Sequence, residues 1–84
     1  MKDSVVAIEY QKEFTAVLVR CNNSDDAPGF GKMYAMYICD PCTMKPIVLA
    51  FNDRFLSDEL AQDFLSRFVI SEHDEIVGHL GLLR

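Results

Sequence analysis

Two cysteines three positions apart have the clearest chemical meaning of any spacing in this sequence. Two thiolates placed like Cys39 and Cys42 can hold a zinc ion or cycle through a disulfide. A structural zinc needs four ligands. Cys21 lies at the far end of the intervening strand, about 20 Å from Cys39 at about 3.3 Å per residue, which leaves His73 and His79. Ordinary buried or turn cysteines are therefore favoured, and a small zinc- or thiol-dependent domain is the alternative.

Other chemical motifs are weaker. Gly29–Lys32 superficially resembles a phosphate loop, but Asp26 stands where the first glycine should be and Met33 replaces the Ser or Thr. The acid pairs at 25–26 and 58–59 suit a solvated loop and a helix cap better than acid/base catalysis, which requires a shifted pKa. We therefore expect no enzyme activity, no catalytic residue, no cofactor and no bound metal.

Composition indicates one folded domain covering residues 1–84. Half of the 84 residues are apolar and the mean hydropathy is +0.07, which is inconsistent with a disordered chain. No segment has the length of a membrane span, and the N-terminus lacks the apolar region of a signal peptide. Three cysteines, an odd number, favour reduced thiols. A cytoplasmic location is the expectation.

The net charge of −5 lies mostly in the second half of the chain, where residues 46–84 carry three basic and seven acidic side chains. An acidic protein is poorly suited to a phosphate backbone, because such binding depends on cations that release counterions. It is better matched to a basic protein surface. The expected partner is therefore a protein with a basic surface, without direct binding to nucleic acid or membrane.

Four segments rich in β-branched and aromatic residues predict strands at 4–10, 14–21, 32–39 and 46–52. The turn-forming residues of 22–31 predict the longest loop. Asp40 followed by Pro41 favours a type I turn between the third and fourth strands. Sequential hairpins of this kind form a meander with the spatial order 1-2-3-4.

A helix is predicted after the sheet, because Ser57 is a good N-cap and the next two residues are acidic. Apolar residues from Leu60 to Phe68 recur at helical spacing. A break is expected near residue 70, followed by a short helix over 75–84, with a fifth strand as the alternative. The predicted class is α+β: a four-stranded antiparallel β-meander, one amphipathic helix and a short C-terminal helix (ββββαα), in two layers.

Both faces of the predicted sheet are apolar, although a water-facing side would alternate with polar residues. One face is assigned Val6, Ile8, Phe14, Ala16, Leu18, Ile47, Leu49 and Phe51, and the other Val5, Ala7, Val17 and Val19. One helix of about 13 residues, about 20 Å long, covers a single face. The second face needs the C-terminal segment, a second copy in a homodimer, or a target protein.

Adaptable and aromatic side chains on the third strand suit such an interface. The predicted partner-binding residues are Met33, Tyr34, Met36 and Tyr37, with Asp58, Glu59 and Asp63 as acidic contacts. The predicted function is a small acidic module that inhibits or antagonises another protein. By analogy of kind, this includes phage inhibitors of host defence such as anti-CRISPR proteins, and immunity proteins or antitoxins. A DNA mimic is a further alternative, built on the acids from Asp58 to Glu75.

Overall fold

The computed structural model describes residues 3–22, 29 and 31–83. Four strands, β1 (Ser4–Tyr10), β2 (Thr15–Arg20), β3 (Lys32–Cys39) and β4 (Pro46–Phe55), form one antiparallel sheet in the order β1-β2-β3-β4. A single helix, α1 (Asp58–Leu83), follows. The predicted α+β class, with an antiparallel sheet before a C-terminal helix, is confirmed. The predicted loop at 22–31 lies largely outside the described residues.

Strand β4 is longer than the sequence indicated, because its last three residues continue to pair with β3. Phe55 lies opposite Lys32 and Asp53 opposite Tyr34. Gly31, just before β3, has a φ of +82°, and a Cβ built there would lie 2.0 Å from the carbonyl oxygen of Phe55. Glycine is therefore needed where the loop enters the sheet, because the backbone of Phe55 approaches Gly31 too closely for a side chain.

The turn between β3 and β4 is built on Asp40. Its carboxylate accepts hydrogen bonds from the backbone N–H groups of Cys42 and Thr43, at 2.8 and 3.0 Å. The backbone N–H of Met44 donates to the Asp40 carbonyl, and Met44 takes a left-handed conformation with φ 62°. An aspartate that satisfies the turn in this way fixes the return of β4 onto β3.

The predicted helix break near residue 70 and the separate short helix are wrong. Helix α1 runs without interruption for 26 residues, Ile70 points outward with 80% exposure, and the Ser71 hydroxyl donates to the Phe68 carbonyl instead of capping a new helix. The tail therefore does not cross to the far side of the sheet, and the fifth-strand alternative is also wrong.

His73 is the reason why the apolar pattern of the sequence does not predict the continuation of α1 beyond residue 70. Ala61, Leu65 and Val69 form the first part of the buried seam of α1, and Leu80 belongs to the same core. Between them His73 occupies the inward position, with its ring 5.7 Å from that of Phe14. A titratable side chain at a seam position interrupts the apolar pattern without interrupting the helix.

The core lies between α1 and one face of the sheet. Its fully buried members on that side are Phe14, just before β2, and Ala16, Leu18, Tyr34, Met36 and Ile38 from the strands. Aromatic rings of β4 and α1 close one side of it, with Phe51 and Phe64 centroids 5.0 Å apart. Among the described residues, no helix combines the length and apolar character that crossing a bilayer demands.

Candidate functional site

A polar cluster ties the first turn of α1 to the sheet. Arg20 donates from one guanidinium nitrogen to both oxygens of Asp58, at 3.0 and 3.1 Å. The Tyr34 hydroxyl donates to the same carboxylate at 2.5 Å. Arg20 also donates to the side-chain oxygen of Asn22, whose amide donates to Ser4. Strands β1, β2 and β3 are thereby linked to the helix N-terminus.

The electrostatics of this cluster indicate a structural role. Burial and the hydrogen bond to Asp58 raise the pKa of Tyr34 to about 12. The hydrogen bond from Tyr34 is the main cause that lowers the pKa of Asp58, and Arg20 adds to it. The phenol therefore stays protonated and the carboxylate ionised at neutral pH, whereas general acid–base catalysis works best with a pKa near the operating pH.

The two cysteines of the Cys39-x-x-Cys42 spacing lie in different environments. Cys39 is buried in β3, and burial raises the pKa of its thiol, whereas Cys42 is exposed in the turn. A raised pKa disfavours the thiolate, which is the form that attacks disulfides and binds metals. Within residues 3–22, 29 and 31–83, no group of three or more His, Cys, Asp or Glu side chains is placed to hold a metal ion.

The face of the sheet that α1 does not contact is named here the open face. Cross-strand pairing defines three rows on it, each running from β1 to β4. Its residues are Val5, Val19, Ala35 and Asn52 in the first row, Ile8, Val17, Tyr37 and Leu49 in the second, and Tyr10, Thr15, Cys39 and Pro46 in the third. None of the twelve carries a charge, and only Thr15 and Asn52 are polar. Beyond the first row, Met33 pairs with Arg54, which places one cation at the end of the face.

Large apolar side chains of the open face are accessible. Val5 is 60% exposed, Tyr10 71% and Leu49 47%, while Val17 and Tyr37 are half-buried among them. The smaller Ala35, Thr15 and Cys39 of the same rows are buried. A contiguous apolar area of this kind is typical of an interaction surface.

The open face differs from the predicted face because two strands are irregular. The pairing of β1 with β2 shifts between Val5 and Ala7, and β4 shifts twice against β3. Each shift moves the following side chains to the other face. Ile8 and Leu49, which strict alternation assigned to the side of Phe14, therefore lie on the open face. The sequence pattern that indicated the open face was the position of Val5, Val17 and Val19, which alternate with the residues assigned to the side of Phe14.

The structure separates the partner-binding residues predicted on β3. Tyr37 lies in the second row of the open face, and Met33, which pairs with Arg54 at its end, is half-buried. Tyr34 and Met36 lie in the core beneath α1 with 2% and 0% exposure. Their proposed role in an accessible surface is corrected, because alternation along β3 directs them toward the helix.

The predicted acidic contacts also differ in accessibility. Asp58 is held by Arg20 and Tyr34, and Asp63 forms an i,i+4 ion pair with Arg67. Glu59 is exposed. Glu72 and Glu75 are not among the predicted protein contacts, although they belong to the acids of the DNA-mimic alternative. Their charge was the available signal, and their position beside β4 was not deducible from a helix expected to end near residue 70.

The net charge of the molecule resides on α1. The helix carries six carboxylates and one arginine, a net of −5, which equals the net charge of the whole chain. The described residues outside it carry five acidic and five basic side chains. The three uncharged rows of the open face and the acidic helix thus lie on opposite sides of the protein.

Comparison with protein-family models, curated proteins and solved structures gave no match.

Proposed function

We propose that this protein is a cytoplasmic, dimeric protein-binding module without enzyme activity, which inhibits or antagonises a partner that has a basic surface. The observation that carries the proposal is the open face, because an accessible apolar sheet surface is costly to leave in water. Two layers of one chain, sheet and helix, would become a four-layer dimer with the helices outside.

A second copy is the occupant that the charges favour. The three rows of the open face carry no charge, so they can meet the same rows of a second copy without like-charge repulsion, and Arg54 lies beyond them at the end of the face. The acidic helices would lie on the outer sides of the pair, separated by both sheets. Stacked sheets pack about 10 Å apart with interdigitating side chains, and Tyr10, Tyr37 and Leu49 supply such side chains.

The size of the face determines how strong this dimer should be. Four strands about 4.8 Å apart, each about 7 residues long at about 3.3 Å per residue, give a face of about 450 Å². Two faces would bury about 900 Å², at the small end of specific interfaces. We therefore expect a dimer that dissociates on dilution.

The acidic helix supports the choice of partner. Its net charge of −5 repels nucleic acid and attracts a basic protein. Because the proposed dimer leaves both helices outside, it would present two copies of the acidic surface. An inhibitor needs only to occupy its target in this way, and no described residue has to react.

Sedimentation analysis tests the dimer with a matched pair of double variants. Val5→Lys with Ile8→Lys places two cations on the open face, whereas Ile70→Lys with Leu82→Lys places two on exposed apolar positions of α1. We expect wild type and the helix variant to sediment as dimers at high concentration and the open-face variant as a 9.5 kDa monomer. A wild-type monomer at every concentration would contradict the dimer.

Affinity capture from the native host tests the inhibitory role. The expected result is a specific protein with a basic surface, whose own activity falls when this protein is added. Its identity would distinguish a defence complex from a toxic enzyme as the target. Zinc at one equivalent in protein purified without chelator, or a captured nucleic acid, would contradict the proposal.

A further inference from the structure

A second apolar surface lies on the flank of the molecule, between β4 and the C-terminal half of α1. A groove of about 310 Å³ opens there. Its apolar lining comes from Ile38, Val48, Ala50, Phe68, Ile76 and Leu80. This groove is distinct from the open face, and the two surfaces meet only at Leu49, which borders both.

Carboxylates form the rim of the groove. Glu72 and Glu75 line it together with His79. In the part of the chain that the structure describes, no Lys or Arg forms an ion pair with either glutamate. Asp63, nine residues before Glu72 on the same helix, differs because it is paired with Arg67. The groove therefore combines an apolar floor with two carboxylates available to a cation.

An exposed apolar stripe at the start of α1 leads into the groove. Leu60 and Phe64 lie four residues apart on the helix and are 51% and 41% exposed, and Leu56, just before the helix, is 68% exposed. Phe64 stacks on Phe68, which lines the groove, with ring centroids 6.0 Å apart. From Leu60 to Ile76 the surface extends about 24 Å at about 1.5 Å per residue. That length matches an opposing helix of about 16 residues.

We propose that this flank binds an amphipathic helical segment of the partner, with its apolar side chains in the groove and along the stripe and its Lys or Arg residues against Glu72 and Glu75. The inference rests on the proposed protein-binding function and specifies the chemistry of the segment recognised. Amphipathic helices bind apolar grooves through anchors spaced three and four residues apart, which is the spacing that the stripe presents.

Two other occupants fit less well. A second copy would bring another acidic helix to an acidic rim, which like-charge repulsion disfavours. An added strand along β4 would meet an edge interrupted by two register shifts and by Pro46, which has no N–H to donate. The basic amphipathic helix avoids both obstacles.

A synthetic peptide titration tests the proposal directly. The probe is a fluorescently labelled 16-residue helix with leucines on one face and lysines on the other, measured by anisotropy against the full chain. Two control peptides are a scrambled sequence of the same composition and a version with glutamate in place of lysine. We expect the amphipathic basic peptide to bind at least tenfold more tightly than either control.

Matched variants locate the binding surface. Glu72→Gln with Glu75→Gln removes two carboxylates from the rim, and Asp63→Asn with Asp74→Asn removes two from outside it. We expect binding about fivefold weaker in the first and within about twofold of wild type in the second, because exposed ion pairs act mainly at short range. Leu60→Ser should also weaken binding several-fold, whereas Ile70→Ser should not.

Equal weakening by both charge variants, or equal affinity for the scrambled peptide, would overturn the inference. The outcome is separable from that of the proposed function. Peptide binding that survives in the monomeric Val5→Lys/Ile8→Lys variant while the native host yields no target contradicts the proposed function alone. Capture of a basic target with no peptide binding contradicts the groove alone.

Discussion

Buried polar side-chain atoms in the described part of this fold have hydrogen-bond partners, with the exception of the Thr15 hydroxyl. Thr15 lies in the third row of the open face, is 1% exposed, and its hydroxyl finds no hydrogen-bond partner among the described residues. A buried hydroxyl without a partner costs about 1–3 kcal/mol. The position of the Thr15 side chain is therefore set by the backbone of β2, and its hydroxyl is left without a hydrogen bond.

Replacing Thr15 with valine should stabilise the protein. The variant keeps the shape and removes the unsatisfied hydroxyl, so we expect the free energy of unfolding to rise by about 1 kcal/mol. Urea denaturation followed by circular dichroism measures the change. Thr43→Val, at an exposed turn position whose hydroxyl accepts a hydrogen bond from Lys45, serves as the comparison and should not stabilise. A loss of stability in Thr15→Val would show that the hydroxyl is satisfied.

His73 makes the stability depend on pH. Its hydrogen bond to Asp74 is the largest cause that raises its pKa above the ordinary 6.5, and Glu13 adds to this while burial opposes it. The folded state therefore binds this proton more tightly than the unfolded chain. The resulting stabilisation is complete below about pH 6.5 and is lost as the pH rises through the raised pKa.

Comparison of wild type with His73→Gln at pH 6.0 and pH 8.5 tests this linkage. We expect the stability advantage of wild type over the variant to be larger at pH 6.0. Glu13→Gln should reduce the pH dependence without abolishing it, since Asp74 remains. An advantage that is constant or grows with pH would show that the histidine is not held in its protonated form.

At the scale of elements, α1 is longer than its local sequence favours. Gly78 lies within the helix, and a Cβ added there would meet no atom within 4 Å. Glycine in a helix interior costs about 0.5–1 kcal/mol relative to alanine. Gly78→Ala should therefore raise the unfolding free energy by about that amount in chemical denaturation.

Gly31→Ala provides the opposite case. The backbone there is left-handed and the added carbon would overlap the carbonyl of Phe55, so we expect a loss of several kcal/mol or failure to fold. Equal effects of the two substitutions would contradict the distinction between an open helix position and a close backbone approach.

Most of the elements were predictable because their signals are local. Strands β1 and β3 begin and end where their β-branched and aromatic runs do, and Ser57 marks the start of the helix, accepting a hydrogen bond from the Leu60 amide. The continuation past residue 70 was not predictable, since His73 is inward only because Phe14 and Glu13 receive it. The faces of Ile8 and Leu49 depended on irregular pairing that composition does not encode.

At the scale of the molecule, the proposed dimer should make thermal stability depend on concentration. A partner that binds only the folded state raises the unfolding temperature by mass action. We expect the wild-type Tm to rise over roughly a hundredfold increase in protein concentration and the Val5→Lys/Ile8→Lys variant to show a constant Tm. A constant wild-type Tm would indicate that the open face does not pair with itself.

The candidate surfaces were predictable only in outline. Counting apolar side chains indicated a sheet with two apolar faces and one helix to cover them, and the open face agrees with that count. The groove beside β4 depends on how α1 lies across the sheet, which brings Phe68 and Ile76 near Val48 and Ala50. Such a placement follows from tertiary packing and has no signature in the order of residues.

The placement of all the net charge on α1 has a consequence for how collisions begin. With a balanced sheet on one side and −5 on the other, a single chain has an electric dipole moment directed across its thickness, which would cancel between the two chains of the proposed dimer. In the field of a cationic body this moment produces a torque that rotates the helix toward that body before any atoms touch. A single chain tumbling near a basic protein would thus arrive with its acidic helix turned toward that protein.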